Sequence, residues 1–204
     1  MELQRLPLIP NQAFQPILDE LAHRSLAVNN YRIKTGTGRS QAFGLVNKRC
    51  LPPDYSRQCW RRPKLYKLLL DFGNQYVTDI SWNAITVNED YKANKHYDRG
   101  NDGPSFLVAF GEYEGGRLLI HEHDMSGAYT IKNHPIITDF SKHLHSVEPF
   151  TGRRISLVYY RLARTPPNIP SPSVEWEGGA WVFKRGGTIC RGMPHPLRKD
   201  WTKQ

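Results

Sequence analysis

From residue 82 onward the chain presents a short β-prone run roughly every ten residues, and this cadence restricts its possible folds more than any other feature. WNAITVNE (82–89) alternates apolar and polar residues, and SFLVAFGEY (105–113) is rich in β-branched and aromatic ones. Glu114-Gly115-Gly116 reads as a tight turn into RLLIHEH (117–123). GAYTIK (127–132), HPIITDF (134–140), KHLHSVE (142–148) and RRISLVYYRL (153–162) follow. Several short strands at that spacing read as a double-sheet β fold such as a jelly roll. Two helices precede them. Phe14, Ile17, Leu18 and Leu21 recur at helical spacing in 11–24, with Asn11 as the expected cap. Residues 63–72 read as a second helix, opened by Pro63 and closed by Gly73. The fold class expected is α+β, a double-sheet jelly-roll core with supporting N-terminal helices.

Two hundred and four residues suit one large domain. The expected division is a domain over 1–162, with its core in 80–162 and helical, basic support in 1–79, then a Pro/Gly-rich basic extension over 163–204. In that extension TPPNIPSPSVEWEGG (165–179) reads as an extended linker, AWVFKR (180–185) as an added edge strand, and GMPHPLRKDWTKQ (192–204) as irregular. No apolar run is long enough for a membrane span, and the N-terminus lacks the pattern of a secretory signal. Cys50, Cys59 and Cys190 are too few and too far apart for a disulfide framework or a CxxC zinc site. A soluble, intracellular protein (nucleus, nucleoid or host cytoplasm) is expected, with a monomer as the default assembly.

The formal charge of +9 favours a polyanionic partner. Between Arg39 and Lys67 eight basic residues stand against Asp54 alone, interleaved with Phe43, Tyr55, Trp60 and Tyr66. Basic residues set among aromatics suit phosphate contacts with base stacking, although a solvated helix face with ordinary core aromatics gives the same pattern.

Of the eight histidines, His96 stands in a His-Tyr-Asp turn just after a strand. Residues two apart in extended chain point the same way, so His96 and Asp98 can reach one ion. A third ligand must come from elsewhere in the chain, and a distant His such as His145 on a later strand would complete the two-His, one-carboxylate face of non-haem Fe(II) oxygenases. Nine residues on, Arg154 can grip a carboxylate bidentately, and Ser156 shares its strand face.

An HxD, about 45 residues of strands containing GG-x-L, a His, and then Arg-x-Ser together resemble the 2-oxoglutarate/Fe(II) dioxygenase superfamily over residues 80–162. The blocks VNEDYKANKHYDRGNDGPSFLVAFGEYEGGRLLI (87–120) and HSVEPFTGRRISLVYYR (145–161) resemble the oxygenase domain of the TET/J-binding-protein group. GRSQAFGLVNKR (38–49) resembles the loop-and-strand segment upstream of that core. The resemblance implies a double-stranded β-helix, Fe(II) on His96, Asp98 and His145, and 2-oxoglutarate anchored by Arg154, with O2 as co-reactant. Ser156 adds a hydroxyl donor near the cosubstrate, and Asn88 either hydrogen-bonds it or forms a turn. Where relatives place an acidic base contact, this chain has Asn101 followed by Asp102, a departure that does not select cytosine over thymine. Arg39, Gln41 and Phe43 of the GRSQAFG loop are the expected base-side wall.

Blander readings hold elsewhere. His143 competes with His145, which is preferred because the HSVEPFTGRR block aligns on it. His121-Glu122-His123-Asp124 reads as a solvated strand end, Gly115-Gly116 as turn geometry, and His23 and His134 as structural or exposed. The activity implied is hydroxylation of the methyl group of a methylated pyrimidine in DNA, most simply 5-methylcytosine to 5-hydroxymethylcytosine, with RNA as the other nucleic-acid substrate. Alternatives are a protein hydroxylase such as a prolyl hydroxylase, a small-molecule hydroxylase, and a non-catalytic nucleic-acid-binding module.

Overall fold

The computed structural model describes residues 3–28, 35–48, 51–122, 125–165, 169, 171–186 and 188–189. In chain order the elements are β1 (Gln4–Arg5), α1 (Gln15–His23), β2 (Gly36–Lys48), β3 (Leu51–Tyr55), α2 (Gln58–Arg61), α3 (Pro63–Tyr76), β4 (Ala84–Ala93) and β5 (Asn101–Phe110). Then come β6 (Tyr113–Gly115), β7 (Leu118–Ile120), β8 (Gly127–Tyr129), β9 (Ile136–Thr138), β10 (His145–Val147), β11 (Phe150–Gly152) and β12 (Ile155–Leu162). A hairpin follows, β13 (Pro172–Glu177) and β14 (Ala180–Arg185), with β15 (Thr188–Ile189) beside it.

Seven strands form the main sheet, in the order β1-β9-β5-β12-β4-β2-β3. A smaller layer, β10-β7-β8 with β11-β6, faces one side of it. The architecture is the double-stranded β-helix expected from the sequence.

Because side chains alternate across a strand, the main sheet serves two cores. One face carries Phe43, Ile85, Phe106 and Tyr159, which are in register and fully buried. They meet Phe14, Ile17 and Leu21 from the first helical segment and Leu65, Tyr66, Leu69 and Phe72 from α3. The Phe14 ring stacks on Phe110 at 4.3 Å. The other face gives Leu107 and Ala109 to a second core with Leu118, Ile120, Phe140 and Phe150.

Several local expectations change. Asn11 opens a 3-10 turn, and α1 starts after Phe14 without a side-chain cap. Gly73 does not end its helix, which runs to Tyr76. It is a packing glycine, because a Cβ there would lie 2.5 Å from the Trp82 ring and 2.7 Å from Tyr159. Glu114-Gly115-Gly116 does not close a hairpin either. β6 pairs with β11 and β7 with β10, so the two glycines carry the chain from one pairing to the next. The GRSQAFG segment is strand, part of the thirteen-residue β2.

Past residue 163 the chain is more ordered than its composition suggested. SVEWE lies in β13, and AWVFKR forms β14, paired with β13 and not with the main sheet. Gly178 and Gly179 both have positive φ (57° and 80°), the backbone of a two-residue hairpin loop. Residues 192–204, Cys50 and Cys190 lie outside the described residues. Val174 and Phe183 join the helix-side core, where Phe183 packs on Tyr55, Trp60 and Tyr66 with ring centroids within 6.0 Å. No helix among the described residues is long and apolar enough to cross a membrane. Phe183→Ala is expected to lower the unfolding free energy by about 3–5 kcal/mol in a urea titration. A loss under about 1 kcal/mol would mean that the hairpin is only appended to the domain.

Candidate metal centre

β4 continues past Ala93 into the His-Tyr-Asp turn, and there it meets β10. His96 and His145 form an antiparallel bridge, the His96 N–H donating to His145 O at 3.0 Å and the His145 N–H to His96 O at 3.1 Å. Asp98 is pinned by its own N–H, which donates to Phe140 O at 2.9 Å. The ligand atoms of His96, Asp98 and His145 consequently lie within 4.8 Å of one another.

Both imidazoles are oriented in the same way. His96 Nδ1 lies 2.7 Å from Asn94 O, and His145 Nδ1 lies 2.9 Å from His143 O. A carbonyl only accepts, so each Nδ1 carries the proton and each Nε2 keeps its lone pair for a metal. Such outer-shell hydrogen bonds are what a ligating histidine needs. Of the competing pair, it is His145 whose ring stands with His96 and Asp98, and the backbone of His143 orients it.

The triad stands on the wall of a cavity of about 560 Å³ between the two sheets. Arg154 lies on the same wall, 2% exposed. Its N–H donates to Asp90 Oδ1 at 2.8 Å, while its guanidinium carbon lies 5.5 Å from the ring centres of both Tyr113 and Phe150. Burial lowers its pKa, yet a guanidinium stays charged at any physiological pH. Its Nε is buried without a hydrogen-bond partner. A buried cation held among aromatic rings with an unused donor fits the carboxylate of a ligand. Gly116 leaves room for it, since a Cβ at that position would sit 3.0 Å from the Arg154 side chain. That packing role is absent from a reading of Gly116 as turn geometry alone.

Ser156 and Asn88 face each other in register on β12 and β4, and the Asn88 Nδ2 donates to Ser156 Oγ at 3.2 Å. Asn88 Oδ1 is a second buried polar atom without a partner. Both residues line the cavity, so Asn88 is a strand residue facing it and not a turn former.

Three expected substrate contacts on β2 point the wrong way. Gln41 and Phe43 pair with Val87 and Ile85, on the helix side of the sheet. Phe43 is fully buried there, 6.0 Å from the Tyr66 ring. Arg39 is directed to the buried carboxylate of Glu89, at 4.0 Å. The cavity wall is built instead from the alternate residue Ala42, in line with Thr86, Val158 and Leu107. A one-residue shift of assignment exchanges the two faces completely. Asn101 does line the cavity, its Nδ2 donating to Ser105 Oγ at 3.1 Å. Asp102 does not line it and is paired with Arg161 at 3.3 Å.

Tyr91 was missed by sequence reasoning. Asp90 adopts φ 51° and interrupts the alternation of β4, which turns Tyr91 onto the cavity wall. A non-glycine residue in that region is rare enough that nothing in the sequence announces it. Among the other candidates, His121 is half-buried and its Nε2 lies 2.9 Å from Ser146 Oγ, while His123 and Asp124 lie outside the described residues.

No family model matches the sequence. The chain is 28% identical over 140 residues to a PKHD-type hydroxylase of Gloeothece citriformis (strain PCC 7424), covering 67% of this chain and 60% of that protein. It thus spans somewhat under two thirds of the length of that relative. Among solved structures it is similar to NgTET1 in complex with 5mC DNA, with TM-score 0.59 and 15% identity, over 81% of this chain and 74% of that one. It is also similar to an oxidoreductase of the 2OG-Fe(II) oxygenase family from Burkholderia pseudomallei, with TM-score 0.50 and 16% identity, over 80% of this chain and 88% of that one. These similarities place the fold among those of 2-oxoglutarate/Fe(II) oxygenases.

The division of β2 into two faces is open to measurement. Phe43→Ala is expected to cost about 3–5 kcal/mol of stability. Ala42→Leu, which only thickens the cavity wall, is expected to change it by about 1 kcal/mol or less. Equal stability losses would contradict the assignment.

Proposed function

We propose that this chain is a 2-oxoglutarate- and Fe(II)-dependent dioxygenase that hydroxylates the methyl group of a methylated pyrimidine, 5-methylcytosine foremost, in DNA. One observation carries the oxygenase reading. Three ligand side chains with the histidine tautomers fixed by backbone share one cavity with a buried arginine whose Nε lacks a partner.

His96, Asp98 and His145 would hold Fe(II), which supplies the coupling of O2 reduction and 2-oxoglutarate decarboxylation to C–H hydroxylation. Arg154 binds the remote carboxylate of 2-oxoglutarate as a charge-assisted pair in a site that excludes water. Ser156 and Asn88 add hydrogen bonds from the neighbouring strands. Ala42, Val158, Leu107 and Leu118 give the cavity an apolar wall on which a base can rest.

DNA as substrate is supported by the net charge of +9 and by the fold likeness to NgTET1. A methyl group on a stacked base cannot reach such a cavity, so the base must be flipped out or taken from a single strand. Asn101, on the cavity wall two residues beyond Arg99, is the polar contact proposed for the base. The similarity to a PKHD-type hydroxylase favours a second reading, a protein hydroxylase of the same superfamily.

The test is nucleoside mass spectrometry after incubation of the protein with Fe(II), 2-oxoglutarate and methylated DNA. Hydroxymethyl-pyrimidine is expected from the wild type and not from His96→Ala or Asp98→Ala. Succinate formed only with a peptide or other acceptor would discard DNA and keep the oxygenase, whereas no 2-oxoglutarate turnover with any acceptor would discard the oxygenase too. Arg154→Gln is expected to raise the KM for 2-oxoglutarate roughly 10- to 100-fold, the loss of one charged hydrogen-bond partner.

A further inference from the structure

Glu122 follows β7 at a strand end that the sequence marks only as solvated. Its Oε1 accepts two hydrogen bonds, from the Tyr97 hydroxyl at 3.0 Å and from the Leu144 N–H at 2.9 Å. Tyr97 stands between His96 and Asp98, and Leu144 immediately precedes His145. One carboxylate oxygen thus ties the turn that carries two of the ligands to the strand that carries the third. Its own position is fixed by β7, since the His121 N–H donates to Leu144 O at 2.9 Å and His121 Nε2 meets Ser146 Oγ. The two donors also hold the Glu122 carboxyl below the usual carboxylate range.

We propose that Glu122 is a positioning residue of the metal centre, setting the spacing between the His-Tyr-Asp turn and His145 and through it the affinity for the ion. This rests on the reading of His96, Asp98 and His145 as metal ligands. Two donors converging on one anionic oxygen are satisfied together only when both segments are in place. Without the carboxylate, Tyr97 is released to solvent and the Leu144 N–H loses its acceptor. The His96–His145 bridge and the Asp98 N–H bond to Phe140 O remain. The chain therefore still folds, and the consequence falls on the placement of the ligands.

The experiment is titration of the whole apo protein with Co(II) or Mn(II), followed by calorimetry and by the visible absorption of bound Co(II), with thermal unfolding of each apo form alongside. Glu122→Ala is expected to weaken metal binding roughly 10- to 100-fold, the usual effect of removing a partner outside the ligand set. Glu122→Gln keeps an oxygen that accepts both bonds and is expected to recover most of that affinity. Tyr97→Phe removes one bond of the two and should fall between. The unfolding midpoints of the apo forms should agree within about 4 °C. Wild-type affinity in Glu122→Ala, or an equal loss in Glu122→Gln, overturns the proposal. If Glu122→Ala does not fold, unchanged affinity in Tyr97→Phe overturns it instead. A wild-type protein that binds no metal would remove the ligand reading itself, which is a different result from tight binding that ignores Glu122.

Discussion

The reciprocal pair of backbone hydrogen bonds between His96 and His145 is the junction on which the rest of the site depends. β4 belongs to the main sheet and β10 to the smaller one. Where the first runs past its last ladder residue, it meets the second and closes the two layers at that end. The same contact brings together two histidines 49 positions apart in sequence. The carbonyls of Asn94 and His143, each two residues before its histidine, then orient both rings. The contact that joins the two layers at this end also gathers these side chains, and it is made by main chain.

The main sheet divides its work by parity. One face is an aromatic and aliphatic core against the helices, and the opposite face is the cavity wall with its few polar groups. This division explains how a basic residue as deeply buried as Arg154 is tolerated. Its guanidinium lies beside two aromatic rings, its backbone is anchored to Asp90, and its Nε is buried without a hydrogen-bond partner. Glu89, one residue earlier on β4, faces the other way, and its charge is met by the Leu26 N–H and by Arg153 at 2.9 Å. Of two adjacent acids, Glu89 thus serves the helix side of the sheet and Asp90 the main chain of Arg154.

Much of the site was legible because its signals are local. The HxD spacing places two ligands together in any extended turn. The Arg154-x-Ser156 pair needs only the period of a strand. Both carry into the structure unchanged, as do β14 over 180–185 and the succession of short strands after residue 82. The elements that misled have equally physical causes. Gly73 reads as a helix terminator because glycine usually is one, but here it clears space for Trp82 and Tyr159, which no helical period reveals. Arg39, Gln41 and Phe43 have the chemistry of a nucleic-acid contact, yet their parity on β2 sends them to the helix side.

By itself, then, the sequence determined the alternation of strands, the amphipathic helices, the His-Tyr-Asp turn and the strand period that sets Arg154 beside Ser156. These follow from propensity, period and short spacings, all of which act within a few residues along the chain, whereas the choice of His145 as the distant partner rests on the resemblance of the HSVEPFTGRR block. The tertiary structure alone decided which face of β2 looks into the cavity, that Asp90 rotates Tyr91 inward, that Gly116 makes room for Arg154, and that Glu122 joins the two ligand-bearing segments. Each of those depends on register or contact between segments distant in sequence, and such pairings are set by closure of the whole barrel, not by any local preference.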